Sequence, residues 1–241
     1  MVKIKNYIYF IRGAGGHYFL ERELNIKMKC DSLNEYTPID SQNKVITVEQ
    51  KKDIDGSSFE DATITSCTNP KSIWFKYDDY EKNDATYFYS TSHLSSWRGN
   101  NSVTNPKSLW KSNQIEVENF YCIICNSLEC YIWCNLLWLS KKYLKEPKEY
   151  NEDFIGIINL SISNWSEEYK RYKKGLLEVK SFGKFFKKIN YDDYFFNTTE
   201  QEILEYSRKN LTIVKKFLDF CVPDNLLLNE NLQYYENILC L

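Results

Sequence analysis

Histidine is scarce in this chain of 241 residues, in which only His17 and His93 occur. This argues against a multi-histidine metal enzyme, and a serine or cysteine hydrolase would have to use one of these two residues as its base. The sequence also lacks the nucleophile turn Gly-x-Ser-x-Gly, the phosphate-binding loop Gly-x4-Gly-Lys-Ser/Thr and the zinc motif His-Glu-x-x-His. These hydrolytic and nucleotide-cleaving chemistries therefore have no support in the sequence.

A surplus of positive charge is also missing. The chain has 31 basic and 33 acidic residues and a formal net charge of −2, so there is no strong electrostatic signal for a nucleic-acid partner. The basic residues that cluster between positions 170 and 188 predict a solvated helix face. A protein is the kind of partner that we expect.

No secretory signal precedes the first apolar run, so we expect a cytoplasmic protein without a disulfide framework. The longest apolar stretch, residues 120–139, is interrupted by Asn126, Glu129 and Asn135. Each of these polar groups is costly in hydrocarbon. The stretch therefore predicts a buried helix and no membrane span.

Aromatic residues, in contrast, are abundant: 19 Tyr, 14 Phe and 6 Trp make up 16% of the chain. Each aromatic side chain buries roughly 150–250 Å², which predicts a deep core or an adhesive binding face. A heptapeptide with a terminal Trp occurs twice, at 68–74 and 104–110, and each copy has an Asn-Pro step typical of a turn or helix start. We interpret it as a local duplication, or as two Trp-bearing loops that contact a partner.

Runs of β-branched and aromatic residues predict strands in the first half, at 7–11, 44–49, 62–67 and 85–90, with a short helix at 18–24. The second half predicts helices at 115–145, 166–180 and 198–221 and a short strand at 154–161. Thr199 and Glu202 match a capping box for the last of these helices. We therefore expect an α+β fold in a single domain, residues 1–241, with a β-rich half up to about residue 112 packed with a helical half.

The segment 115–145 is apolar on every side, which is typical of the most buried helix of a protein. We expect its side chains Ile124, Leu128, Ile132 and Leu136 to lie in the core. A single buried helix of this kind favours one joint core around which both halves pack.

Four of the eight cysteines form the pattern Cys122-x2-Cys125-x4-Cys130-x3-Cys134. The spacing is similar to that of a zinc knuckle, but its gaps hold Ile, Leu, Trp and Tyr where zinc loops are polar and rich in glycine. On a single helix the four thiols would also point in different directions. We therefore expect buried structural cysteines and no metal.

The turn Gly13-Ala14-Gly15-Gly16-His17 lies between a predicted strand and a predicted helix. Backbone N–H groups at a helix N-terminus bind phosphate, so a nucleotide or sugar-nucleotide site is one interpretation. The turn also resembles the glycine turn of certain nucleotide-sugar glycosyltransferases. The absence of a regular strand–helix alternation after it argues against that family.

A second set of motifs covers more of the chain. Arg12 ends the first strand, Ser90-Thr91-Ser92 follows an aromatic run, and Glu116 and Glu118 form a Glu-x-Glu pair. In this order they resemble the Arg–Ser–Glu class of mono-ADP-ribosyltransferases. The resemblance implies that NAD is the substrate, that Arg12 holds its phosphates, that Ser90, Thr91 and Ser92 support the nicotinamide pocket, and that Glu118, with Glu116, is the catalytic carboxylate.

Each of these motifs also has a plainer interpretation, as a surface ion pair, a strand-end turn and a chance pair of acids. Glu200 and Glu202 form a rival Glu-x-Glu pair within a predicted helix. The sequence therefore leaves two functions open: an NAD-dependent ADP-ribosyltransferase, or a non-catalytic interaction protein such as an inhibitor, immunity or host–parasite factor. The spatial separation of Arg12, Ser90 and Glu118 distinguishes them.

Overall fold

A computed structural model of the chain describes residues 2–39, 43, 74–75, 88–89, 115–145, 152–179, 186–221 and 225–239. Within these residues helix and strand are mixed and helix predominates, which confirms the predicted mixture in this general form. The division into a β-rich and a helical half, and the single domain, stay predictions. The strands predicted at 44–49 and 62–67, most of 85–90 and nearly all of the Trp-bearing repeat lie outside the described residues.

The strands are β1 (Val2–Tyr9), β2 (Met28–Cys30), β3 (Tyr36–Pro38), β4 (Trp74–Phe75), β5 (Phe88–Tyr89), β6 (Ile115–Ile124) and β7 (Phe186–Asn190). The helices are α1 (Gly16–Leu24), α2 (Leu128–Lys145), α3 (Glu152–Val179), α4 (Tyr191–Phe195), α5 (Gln201–Cys221) and α6 (Leu226–Ile238).

Strands β1, β6 and β7 form a parallel sheet in the order β1-β6-β7. Parallel neighbours need a crossover connection, and α2 and α3 supply the one between β6 and β7. Two smaller antiparallel pairs, β2 with β3 and β4 with β5, complete the described strands. The first strand of the chain therefore pairs with a strand from its second half.

The prediction of one helix over 115–145 is wrong for its first third, which is strand β6. Glu116 and Glu118 alternate there with Ile115 and Val117, and this period of two, followed by an apolar run, suits a strand with neighbours on both edges. The helix begins only at Leu128, after a short loop whose Ser127 hydroxyl accepts a hydrogen bond from the Cys130 amide at 3.1 Å. A buried strand and a buried helix share an apolar composition, which is why the sequence did not separate them.

The strand predicted at 154–161 is also wrong, since these residues lie inside α3. Downstream of them the buried side chains Ile162, Trp165, Tyr169 and Tyr172 recur every three or four residues. That spacing places them on one helix face. A short apolar window at 154–161 did not contain enough turns to show this period.

Helix α5 confirms the predicted helix at 198–221, but it begins at Gln201. Thr199 is therefore not its cap, and the Thr198 hydroxyl instead accepts a hydrogen bond from the Glu200 amide at 3.2 Å. The Glu202 carboxylate bonds to Arg22 and does not close a capping box.

Helix α2 lies at the centre of the described core and packs against α3, α5 and α6. Three of the four side chains expected in the core are buried: Ile124, Ile132 and Leu136. The expectation is wrong for Leu128, which is only partly buried at the exposed start of the helix. No helix among the described residues has the length and apolar character needed to cross a membrane.

The glycine turn after β1 packs directly onto α2. Gly13 has φ +72°, and a Cβ at this position would collide with the backbone carbonyl of Cys134. Gly15 also has a positive φ, +66°, and lies against the Phe195 ring. Glycine is needed at both positions for backbone conformation and close packing.

Two Gly→Ala variants test this packing. Gly13→Ala should lower the free energy of unfolding by ~3 kcal/mol or more, because it adds left-handed strain and a backbone collision. Gly156→Ala is the matched control: Gly156 is exposed inside α3, nothing lies within 4 Å of its added Cβ, and alanine should raise stability by ~0.5–1 kcal/mol. Urea titrations measure both, and equal midpoints for the two variants would contradict the described packing.

Candidate functional site

A cavity of about 580 Å³ opens between α1, the β2–β3 hairpin and α5. This volume falls within the usual range for small-ligand sites. Its wall combines tyrosines, carboxylates and two cations: Tyr18, Glu21, Arg22, Asn25, Asn34, Tyr36, Glu202, Glu205, Tyr206 and Lys209. We call it the tyrosine–glutamate pocket.

Three tyrosines form the aromatic part of the wall. The rings of Tyr18 and Tyr206 are stacked with centroids 4.0 Å apart, and Tyr36 meets both edge-on, at 5.3 and 5.9 Å. Burial raises the pKa of all three hydroxyls, so each is a neutral donor and acceptor at physiological pH. The pocket thus offers π faces and edges together with neutral hydroxyl groups.

Buried polar groups hold the hairpin against α5 and α2. The Asn34 side-chain amide donates hydrogen bonds to Asn210 Oδ1 at 2.9 Å and to the Tyr206 carbonyl at 3.2 Å. The Lys141 ammonium donates to the Asn34 carbonyl at 2.9 Å. Asn34 adopts a left-handed conformation with φ 58°, which asparagine tolerates better than most residues. Tyr36 is therefore carried on a hairpin that is fixed from beneath.

Arg22 is surrounded by acids at the pocket mouth. Its guanidinium bonds to Glu202 at 2.7 Å and to Glu200, and lies 3.4 Å from Glu23. Desolvation alone would lower the pKa of Arg22, but the Tyr18 hydroxyl and the Glu200 carboxylate raise it overall. The positive charge of Arg22 is thus already balanced by neighbouring carboxylates.

Glu21 differs from the other acids of the wall. Partial burial raises the pKa of its carboxyl group, and no cation in the described part of the chain forms an ion pair with it. Glu205 also forms no ion pair in the described part of the chain, and its carboxylate accepts a hydrogen bond from the neutral Gln201 amide at 3.4 Å. A carboxylate that has lost water without gaining a cation favours a positively charged ligand.

Two of the residues predicted from the resemblance, Arg12 and Glu118, lie on or next to the paired strands β1 and β6. Arg12 follows the carboxyl end of β1, and its guanidinium carbon lies 4.6 Å from the ring centroid of Trp138 on α2. Glu118 lies on β6, between residues that pair with Ile4 and Asn6. Tyr9, the last residue of β1, pairs with Cys122 on β6. Cys122 is four residues, or roughly 13 Å, beyond Glu118 along that strand.

Glu116 lies earlier still on β6, opposite Lys3. Ser90, Thr91 and Ser92 lie outside the described residues, so their grouping with Arg12 stays a prediction. Along the backbone the structure does not bring Glu118 to the strand end that Arg12 follows. The rival pair Glu200 and Glu202 lies at the start of α5, where both carboxylates bind Arg22 instead.

Three of the four central cysteines converge. The sulfur atoms of Cys125, Cys130 and Cys134 all lie within 4.8 Å of one another and are buried, whereas Cys122 is buried but outside this group. The expectation that the thiols scatter around one helix is wrong, because Cys125 lies in the loop before α2. Burial raises the pKa of all four thiols.

Sequence reasoning missed the tyrosine–glutamate pocket altogether. Its walls come from α1, β3 and α5, which are up to about 190 positions apart in the sequence. The only local signal was the start of α5, where Glu200, Glu202 and Glu205 crowd together without a basic neighbour before Arg208.

The imidazole of His17, whose Nε2 atom is enclosed, gives a pH dependence. Desolvation lowers its pKa from 6.5 to about 4, and Lys141 adds to this, while a hydrogen bond with the Tyr36 backbone acts in the opposite direction. Between pH 6.5 and 4 the unfolded chain therefore binds a proton that the folded chain does not. Stability should fall as pH falls through this window, by about 2 kcal/mol between pH 7 and 5 from this group.

Urea titrations at several pH values measure the effect. His17→Gln should flatten that part of the pH profile, whereas His93→Gln, which removes the other histidine, should keep it. Parallel profiles for wild type and His17→Gln would contradict the buried, neutral imidazole.

Comparison with known proteins identifies no relative of this chain. The chain matches no family model, no curated protein and no solved structure. The pocket and the thiol cluster are therefore interpreted from the chemistry of their own residues.

Proposed function

We propose that this chain is a non-catalytic interaction protein that binds a basic side chain of a protein partner in the tyrosine–glutamate pocket. The observation that carries the proposal is Glu21, a partly desolvated carboxylate without a described cation, in a wall with three tyrosines. A guanidinium or ammonium group in the pocket would offset this charge and contact the tyrosine rings.

The charge balance around the pocket supports a cation. Its wall contains the carboxylates Glu21, Glu202 and Glu205 against the cations Arg22 and Lys209. Arg22 is further neutralised by Glu200 and Glu23, which lie outside the wall. A positively charged ligand therefore meets an excess of acid on entering.

The shape also favours a side chain of a partner. Tyr18 and Tyr206 are stacked, and Tyr36 meets both edge-on. The Asn34–Asn210 network holds this arrangement, so the aromatic wall is preorganised. Tyrosine and arginine are among the residues that most often dominate the binding energy of protein–protein contacts.

N-acetyl-argininamide is the simplest probe. Its about 15 non-hydrogen atoms, at roughly 0.3 kcal/mol each, give an expected Kd on the order of 1 mM. N-acetyl-citrullinamide has the same shape without the charge and should bind at least ~10-fold more weakly. Chemical-shift titrations measure both affinities and show whether the perturbed resonances belong to the pocket.

Glu21→Gln should weaken binding of N-acetyl-argininamide by ~10-fold or more, since the paired charge is lost. Glu230→Gln is the matched control, because Glu230 is exposed on α6 and lies outside the pocket wall. Equal affinity for the citrulline and arginine probes, or equal loss in both variants, would refute a cation site at Glu21.

The ADP-ribosyltransferase hypothesis is the second candidate, and an NAD assay separates it from the first. It requires Arg12, Ser90 and Glu118 around one substrate, and the register of β1 with β6 does not favour that grouping. We expect no release of nicotinamide from NAD above the buffer rate, with or without an acceptor protein. Release that Glu118→Gln abolishes while the fold is retained would replace our proposal with the enzyme.

A further inference from the structure

The three buried thiols of Cys125, Cys130 and Cys134 have the geometry of a metal site. Cys125 Sγ and Cys134 Sγ are 3.6 Å apart, and no pair in the cluster exceeds 4.8 Å. Zinc binds thiolates at about 2.3 Å in a tetrahedron, which places the sulfur atoms roughly 3.8 Å from one another. We propose that these three cysteines bind one Zn²⁺ ion as a structural site.

Local structure presents the three thiols to one point. Cys130 and Cys134 are four residues apart on α2 and so share a helix face. Cys125 approaches from the loop that joins β6 to α2. This loop is fixed by two tyrosines of α3: the Cys125 amide donates to Tyr172 Oη at 2.8 Å, and Tyr169 Oη donates to the Asn126 carbonyl at 2.7 Å.

We assign the fourth position to Asp192 at the start of α4, whose carboxylate lies outside the three-cysteine group but interacts with one of its members, Cys130. Its carboxylate accepts a hydrogen bond from Tyr235 Oη at 3.0 Å. Zinc binding would release the three thiol protons to solvent, and the Asp192 carboxylate would then bond to the ion. Tyr235 would keep the carboxylate oriented, as outer partners do in zinc sites.

The surroundings favour a structural role over a catalytic one. All three sulfur atoms are fully enclosed by the core, and closed sites with four protein ligands are typical of structural zinc. The N-terminal turns of α2, an 18-residue helix, place their positive end beside the thiolates. The ion would tie β6, α2 and α4 together, so its binding should contribute to folding.

Elemental analysis of the full chain, purified without chelator and then dialysed against excess Zn²⁺, should find about one zinc per chain. Cys125→Ser and Cys130→Ser should lose it. Cys122→Ser is the matched control, because Cys122 is equally buried in the same segment but lies outside the cluster, and it should retain the ion. Asp192→Asn should weaken zinc retention against a competing chelator by ~10-fold or more.

If the cysteine variants do not fold, Co²⁺ bound to the wild-type chain gives an independent readout. Three thiolates around tetrahedral cobalt should produce sulfur-to-metal charge-transfer absorption that the metal-free chain lacks. The proposal is overturned if the reconstituted protein holds less than about 0.1 zinc per chain, or if Cys130→Ser retains as much as Cys122→Ser. A Cys125–Cys134 disulfide in the freshly purified protein, found by mass spectrometry, would overturn it as well.

Discussion

Every residue of helix α2 from Cys130 to Leu137 is buried, and this burial constrains the elements that pack around the helix. Helices α3, α5 and α6 pack on it, and the glycine turn after β1 reaches its backbone at Cys134. That close approach sets where α1 begins and therefore where Tyr18 meets Tyr206. The same stretch of α2 carries Cys130 and Cys134, so the pocket and the thiol cluster are supported by one helix.

The fold was predictable where a short pattern sufficed. The helix after the glycine turn, the long helix that became α5 and the burial of Ile132 and Leu136 all follow from composition and a period of 3.6 residues. Strand β6 was not predictable in this way, because a buried strand and a buried helix are equally apolar. Its parallel pairing with β1 joins segments more than 100 residues apart, which no local pattern specifies.

The candidate sites were less predictable than the fold. The spacing of Cys130 and Cys134 already implied a shared helix face, but the position of Cys125 depends on β6 ending at Ile124. Arg12 has the chemistry of a phosphate ligand in the sequence, whereas the structure places it against Trp138. The pocket required the meeting of Tyr18, Tyr36 and Tyr206, which is a property of tertiary packing alone.

Lys141 is a buried ammonium group that contacts Asn34, a residue of the pocket wall. Desolvation lowers the pKa of Lys141 to about 8, so the group is mostly charged at neutral pH, and Glu35 and Asp31 offset its charge. Its hydrogen bond to the Asn34 carbonyl anchors the hairpin that carries Tyr36. Lys141 is balanced by acids on that hairpin, and Arg22 by Glu200 and Glu202. Neither of them, nor Lys209 of the pocket wall, forms an ion pair with Glu21 in the described part of the chain. In the proposed interaction, the Glu21 carboxylate is therefore the group that would set the sign of the ligand's charge.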